Sequence, residues 1–153
     1  MKHLDKTDKA ILKELQIDGR ISNVELSKRI NLSPSPCLDR VKRLEKEGYI
    51  ERYRAVLNPE KLGYDLIAYV SVTLDKTTND SFVLFQKEIS QVKEVIDCDM
   101  VAGGFDYLLK LCISSMKNYR SVLGRISELS GVSHSHTYIV IENVKKNIGF
   151  HVG

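Results

Sequence analysis

Cysteine is scarce in this 153-residue chain and poorly placed for chemistry. Cys37, Cys98 and Cys112 are odd in number, widely spaced and form no C-x-x-C, which argues against a disulfide framework and against a zinc site. Long hydrophobic runs are absent. The longest near-continuous one, Leu66 to Leu74, has the length of a strand and is too short to span a bilayer. The first residues, MKHLDKTDKA, carry no apolar signal segment, so a cytoplasmic location is expected and no membrane partner. There is no nucleophile elbow, P-loop, zincin helix or paired-carboxylate motif, nor any internal repeat or low-complexity tract. The expectation is therefore a chain that is not an enzyme and needs neither metal nor cofactor.

Net charge is also small, at +3, but it is unevenly placed. Residues 1–60 hold 13 Lys+Arg against 10 Asp+Glu, whereas residues 61–153 hold 10 of each. All the excess positive charge lies in the first part. That part also has helical periodicity. Leu4, Ile11, Leu12 and Leu15 recur at helical spacing, with Asp5 as N-cap, Asp8 at N3 and Gly19 at the C′ position. Ser22-Asn23-Val24-Glu25 fits a capping box that opens a second helix ending near Ile30, and Asn31 suits a left-handed residue after it. A third helix follows after about three residues, the spacing of a helix-turn-helix.

That third helix starts with Ser33-Pro34-Ser35-Pro36. Proline is tolerated in a first turn, where backbone N–H groups have no intrahelical partner to lose. Either Ser33 or Ser35 can be the N-cap, and the Ser35 frame is favoured because it keeps Ser35 out of the α region before a proline. Cys37, Leu38, Val41 and Leu44 form one apolar stripe. After Gly48, residues 49–56 alternate and predict a short β ribbon, a wing, leading through Asn58-Pro59 into a linker.

A basic helix face alone is usually just a solvated surface. Here it coincides with helix-turn-helix spacing, a stiff start bearing Ser33, Ser35 and Pro36, and a basic segment behind it, and together these point to double-stranded DNA. Arg40 and Arg43 are candidates for guanine edges or phosphates; Lys42, Lys46, Arg52 and Arg54 are candidates for phosphates.

Beyond residue 66 the pattern changes to strand 66–74, helix 80–90, strand 92–101, a Gly103-Gly104 hairpin, strand 107–113, helix 115–129 and strand 132–144. The order βαββαβ is that of a ferredoxin-like split βαβ. The fold expected is α+β, with a winged helix-turn-helix over residues 1–60 and a ferredoxin-like domain over residues 61–153. Glycines at 103 and 104 suit a hairpin that needs positive φ, but such a turn also exposes N–H groups to a carboxylate, with Asp106 beside it for an ammonium group. Both readings stay open. His134 and His136 share one strand face without an apparent third ligand, so a solvated or interface strand is favoured over a metal site.

The run DGRISNVELSKRINLSPSPCLDRVKRLEKEGYI, the later VAGGFDYLLK and the closing TYIVIENVK resemble the Lrp/AsnC feast/famine regulators, over nearly the whole chain from Leu4 to about Lys146. The resemblance implies a RAM-type C-terminal domain that dimerises, assembles further into octamers and binds an amino acid between dimers, with the protein associated with the nucleoid. It adds Met100, Met116, Tyr138, Ile139 and Val140 to Gly103, Gly104 and Asp106 as effector positions. Leucine or another apolar or sulfur-containing amino acid is the implied effector. Gly104 stands where the motif of the similar regulator is acidic. An RNA-binding RRM shares the βαββαβ order, but Tyr107-Leu108-Leu109-Lys110-Leu111 lacks the basic start and stacking aromatics that module needs. A chromosome-architectural protein with little ligand response is the alternative that sequence alone leaves standing.

Overall fold

This computed structural model describes residues 4–145 and 149–152; the start of the chain and Lys146 lie outside the described residues. The chain forms two compact units, one comprising residues up to Val56 together with the C-terminal residues from Lys145, the other spanning Leu57–Val144. The C-terminal residues from Lys145, expected in the domain over residues 61–153, group with the first unit instead. In the structure Gln16 accepts a hydrogen bond from the Phe150 N–H and its side-chain amide donates to the Phe150 carbonyl, which ties them to the first.

The first unit has three helices, α1 (Lys6–Ile17), α2 (Asn23–Arg29) and α3 (Pro34–Lys46). Asp5 and Asp8 form a reciprocal capping box at the start of α1. Ser22 caps α2, but the reciprocal arm is missing because Glu25 pairs with Arg29 at 3.4 Å. The turn from α2 to α3 is a Schellman motif. Asn31 is left-handed at φ 55°, the Leu32 N–H donates to the Ser27 carbonyl at 2.8 Å and the Asn31 N–H to Lys28 at 3.2 Å. Gly48 closes α3 in the same way, at φ 78°. Ile11, Leu26, Cys37 and Leu44 are fully or almost fully buried and form the small core, with Val41 and Ile50 around it.

Two expectations fail here. The N-cap of α3 is Ser33, not Ser35, so Pro34 is N1 and Pro36 is N3. The pre-proline penalty on Ser35 is outweighed because Pro34 already holds helical φ and the Asn23 side chain donates to the Pro34 carbonyl at 2.8 Å. Residues 51–56 form no strand, since alternation needs a partner strand and none lies alongside. The segment is instead held by Tyr53, whose hydroxyl donates to Glu45 at 3.0 Å; burial, then the Glu45 carboxylate, pushes that phenol up to about 12.

The second unit follows the expected order with β1 (Leu66–Leu74), α4 (Asn79–Ile89), β2 (Val95–Met100), β3 (Tyr107–Ile113), α5 (Met116–Ser127) and β4 (Val132–Ile139). Its strands run β2-β3-β1-β4, all antiparallel. Strand β2 starts three residues later than expected because the Val95 N–H turns back to the Val92 carbonyl, and β4 ends at Ile139, where pairing with β1 runs out. Ala68, Val70, Val72 and Leu74 of β1 and Tyr107, Leu109, Leu111 and Ile113 of β3 face Phe85 and Ile89 of α4 and Val122 and Ile126 of α5. Phe85 lies 4.5 Å from the Tyr107 ring, so the aromatic pair fixes α4 on the sheet.

Both helices use one face. The other face carries Ile67, Tyr69, Ser71 and Thr73 of β1, Leu108, Lys110 and Cys112 of β3, and His134, His136 and Tyr138 of β4, as strand alternation requires.

The loop from α5 to β4 contains an acid-sensitive clasp. Glu88 accepts from both the N–H and the hydroxyl of Ser130, each at 2.8 Å, and the backbone N–H first, then the hydroxyl, holds the carboxyl below its ordinary value of 4.5. A carboxyl lowered on folding stabilises above its unfolded value and loses that contribution as pH falls through the folded one. Relative to the intrinsic base-catalysed rate, the protection of the Ser130 and Gly131 amides is expected to fall below about pH 4.5, and Glu88→Gln should remove this pH dependence.

Candidate DNA-binding and effector surfaces

The exposed side of α3 is set by its periodicity. Ser35, Leu38, Asp39, Lys42 and Lys46 all reach solvent, and Ser33 and Pro36 are exposed at its start. Leu38, expected in the apolar stripe, is 40% exposed. The sequence reading omitted Asp39, an acid among the bases. A carboxylate there can accept from a cytosine amino group, which a purely basic face cannot do.

Arg40 and Arg43 point elsewhere. Arg40 lies 2.6 Å from Asp5 and 2.8 Å from Asp8, and Arg43 lies 2.5 Å from the same Asp8 oxygen. Asp8 is 2% exposed, so its charge is balanced almost entirely by these two guanidiniums. The Asp8 backbone N–H, then Arg40, holds the Asp5 carboxyl below its usual range. Both arginines thus clamp α3 to the first turn of α1. The guanidiniums expected to bond guanine edges or phosphates are already engaged within the protein, with about a third of each side chain still exposed. Arg52 and Arg54 are exposed on the extended segment after Gly48.

The loop between β2 and β3 is closed by the Val101 N–H donating to the Asp106 carbonyl at 2.9 Å. Neither Gly103 nor Gly104 has positive φ, contrary to the expectation, and a Cβ at either would meet nothing within 4 Å. Their own chain therefore does not require glycine. Asp106 is already engaged: its Oδ2 accepts from the Leu74 N–H at 2.7 Å, extending the β1 hydrogen bonding past its last ladder pair.

The eight candidate effector residues separate into two groups. Met100, Gly103, Gly104 and Asp106 lie at the end of the sheet where Val72 pairs with Tyr107. Met116, Tyr138, Ile139 and Val140 lie at the other end, where Leu66 pairs with Ile113 and Ala68 with Ile139. Along β1 from Val72, Tyr69 opposite Tyr138 lies about 10 Å away, Ala68 opposite Ile139 about 13 Å and the Leu66 end about 20 Å, and β2 and β4 are on opposite edges of the sheet. One protomer does not bring the groups together. Met100, Met116 and Tyr138 are each at least half exposed. No group of three or more potential metal ligands occurs among the described residues, and none of their helices is long and apolar enough to cross a membrane.

Comparison with known proteins agrees with both units. Residues 4–51 match the family model for winged helix-turn-helix DNA-binding domains, and residues 67–150 match the Lrp/AsnC ligand binding domain. The leucine-responsive regulatory protein of Escherichia coli K12 is 48% identical over 147 residues, which is 95% of this chain and 90% of that protein. The relative of the same name from Klebsiella pneumoniae has the same identity and coverage. A transcriptional regulator from Neisseria meningitidis, solved with L-Met, superimposes with a TM-score of 0.90 at 38% identity, covering 94% of both chains. An AsnC family transcriptional regulator from Agrobacterium tumefaciens gives 0.91 at 25% identity, covering 96% of both chains. With a DNA-binding helix-turn-helix ahead of a ligand-binding ferredoxin-like unit, this chain belongs to the Lrp/AsnC family of transcription regulators, which are not enzymes.

Proposed function

We propose that the protein is a sequence-specific regulator that grips double-stranded DNA as a dimer, and that its assembly and DNA binding respond to a small amino acid. The observation that carries the DNA reading is the α3 geometry: the clamp to Asp8 fixes the helix while leaving Ser33, Ser35, Pro36, Lys42 and Lys46 on its open side. Ser35, Asp39 and Lys42 are placed for base edges, and Lys46, Arg52 and Arg54 for phosphates. Lys42→Ala should weaken binding by about 1–3 kcal/mol with a changed base preference if it reads an edge. A phosphate role would instead weaken all duplexes alike and flatten the salt slope by about one unit. Equal affinity on every duplex would remove Lys42 from the interface.

A two-fold dimer needs a self-complementary surface, and the sheet face that neither helix of its unit covers offers one, with Ile67, Tyr69 and Leu108 among Ser71, Thr73, Lys110, His134 and His136. The effector reading places an amino acid between copies. The two groups of candidate residues lie at opposite sheet ends, so a site combining them requires the loop of one protomer to meet the β4 end of another. That also gives the unforced Gly103 and Gly104 a reason, since glycine permits close approach. Leucine, methionine or a similar apolar amino acid suits Met100 and Met116, and such a ligand shifts assembly because its affinity differs between assembly states. Further association to octamers and action on nucleoid DNA in the cytoplasm follow from the same reading. Sedimentation with and without L-leucine and L-methionine tests it. If neither changes the assembly at millimolar concentration, the architectural DNA-wrapping reading takes its place.

A further inference from the structure

The second unit holds a cleft of about 590 Å³ that neither the DNA surface nor the β2–β3 loop uses. It lies at the sheet end opposite that loop, between the 3-10 turn Glu60–Leu62 with the residues after it, the start of β2, and the start of α5. Its volume falls within the range of small-molecule sites. Leu62, Tyr64 and Ile96 make an apolar wall, while Lys93, Glu94 and Asn118 bring one positive, one negative and one amide group to the same cavity. Glu94 carries the decisive feature. Its Oε1 accepts from Arg125 at 2.7 Å, but its Oε2 is buried and has no hydrogen-bond partner among the described residues. Leaving a buried carboxylate oxygen without a donor is unfavourable, and such an atom calls for a missing one. The terminal torsion of a glutamate is soft and the Arg125 side chain is 46% exposed, so the carboxylate turns toward the cleft with the guanidinium following Oε1.

We propose that this cleft is a second small-molecule site, contained within one protomer, for an α-amino acid with an apolar side chain. The ammonium group supplies the donor that Glu94 Oε2 lacks, the carboxylate faces Lys93 and the Asn118 amide, and the side chain lies on Leu62, Tyr64 and Ile96. Lys93 and Glu94 favour a zwitterion over a simple amine or acid, because each of those forgoes one of the two charge-assisted bonds. The site excludes the loop around Gly103 and Asp106, and it adjoins Met116 without needing a second protomer.

Hydrogen–deuterium exchange on the full chain with L-leucine, L-leucinamide and 4-methylpentanoate tests the assignment. L-leucine is expected to protect segments 60–66 and 92–98, and the two analogues, each lacking one charge, to protect them much less. Glu94→Gln and Lys93→Ala should each raise the leucine concentration needed by about tenfold, the loss of one charge-assisted bond. Lys93 is exposed, so its variant keeps the fold. Absence of protection in both segments overturns the proposal, as does protection unchanged in both variants or equal for all three compounds. Protection of segment 99–107 reports the inter-protomer site separately, so its loss strikes only that reading.

Discussion

Asp8→Ala is expected to loosen the first unit by about 2–4 kcal/mol, a large share of what so small a core supplies. The side chain is 2% exposed and has three partners: the Asp5 N–H, Arg40 and Arg43. Alanine removes half of the capping box and the counter-charge of both guanidiniums. Those arginines are 32% and 39% exposed, so water recovers part of their loss, which sets the upper end of the range. Asp8→Asn keeps an acceptor for the cap and should cost less. Arg40→Ala and Arg43→Ala should each cost less than the pair together, because one guanidinium still balances Asp8 in each single variant. The double replacement strands a buried carboxylate, and adding Asp8→Asn to it should restore stability. Amide exchange of α1 and α3 in the full chain reads this unit without assuming that both units unfold together. Unchanged exchange in Asp8→Ala would show that the clamp carries no weight.

That clamp was the part of the site least legible in the sequence. Arg40 and Arg43 look free because their partner lies 32 to 35 positions away, beyond any helical period. A signal was present: Asp8, Ile11 and Leu15 lie on one side of α1, and an acid on an apolar side requires a cation from elsewhere. Local features were read more accurately. Strands 66–74 and 107–113 agree with the structure to the residue, because β-branched and apolar residues alternate between clear turn signals. Asn31 was read as left-handed from its position after a helix end, a purely local property. Residues 51–56 alternate just as well and form no strand, since pairing depends on a neighbour that local sequence does not specify. The separation of Met100 and Asp106 from Met116 and Tyr138 likewise depends on the strand order β2-β3-β1-β4, not on any local pattern.

Leu108→Glu should convert the proposed dimer into a folded monomer. Leu108 sits on the uncovered sheet face between Ser71 of β1 and Asp99 of β2. Within one protomer the new carboxylate reaches water beside its cross-strand neighbour Asp99, a like-charge contact of only about 0.2–1 kcal/mol, so far-UV circular dichroism should be unchanged. Across a two-fold axis it enters the contact twice and is cut off from water, and an unpaired buried charge is strongly unfavourable. The effect on DNA follows from linkage. Two recognition helices on one dimer make the second half-site an intramolecular event, and losing that connection costs about 10²–10⁴ in apparent affinity for a two-half-site duplex. A single half-site has no second event to lose, so its affinity should be the same as for the wild type. Lys42→Ala gives a different signature, weakening a single half-site and, with two copies of the helix engaged, a two-half-site duplex by about twice the free energy. Sedimentation and duplex titration of the two variants therefore separate contact from assembly, and a Leu108→Glu protein that remains dimeric would exclude this sheet face as the interface.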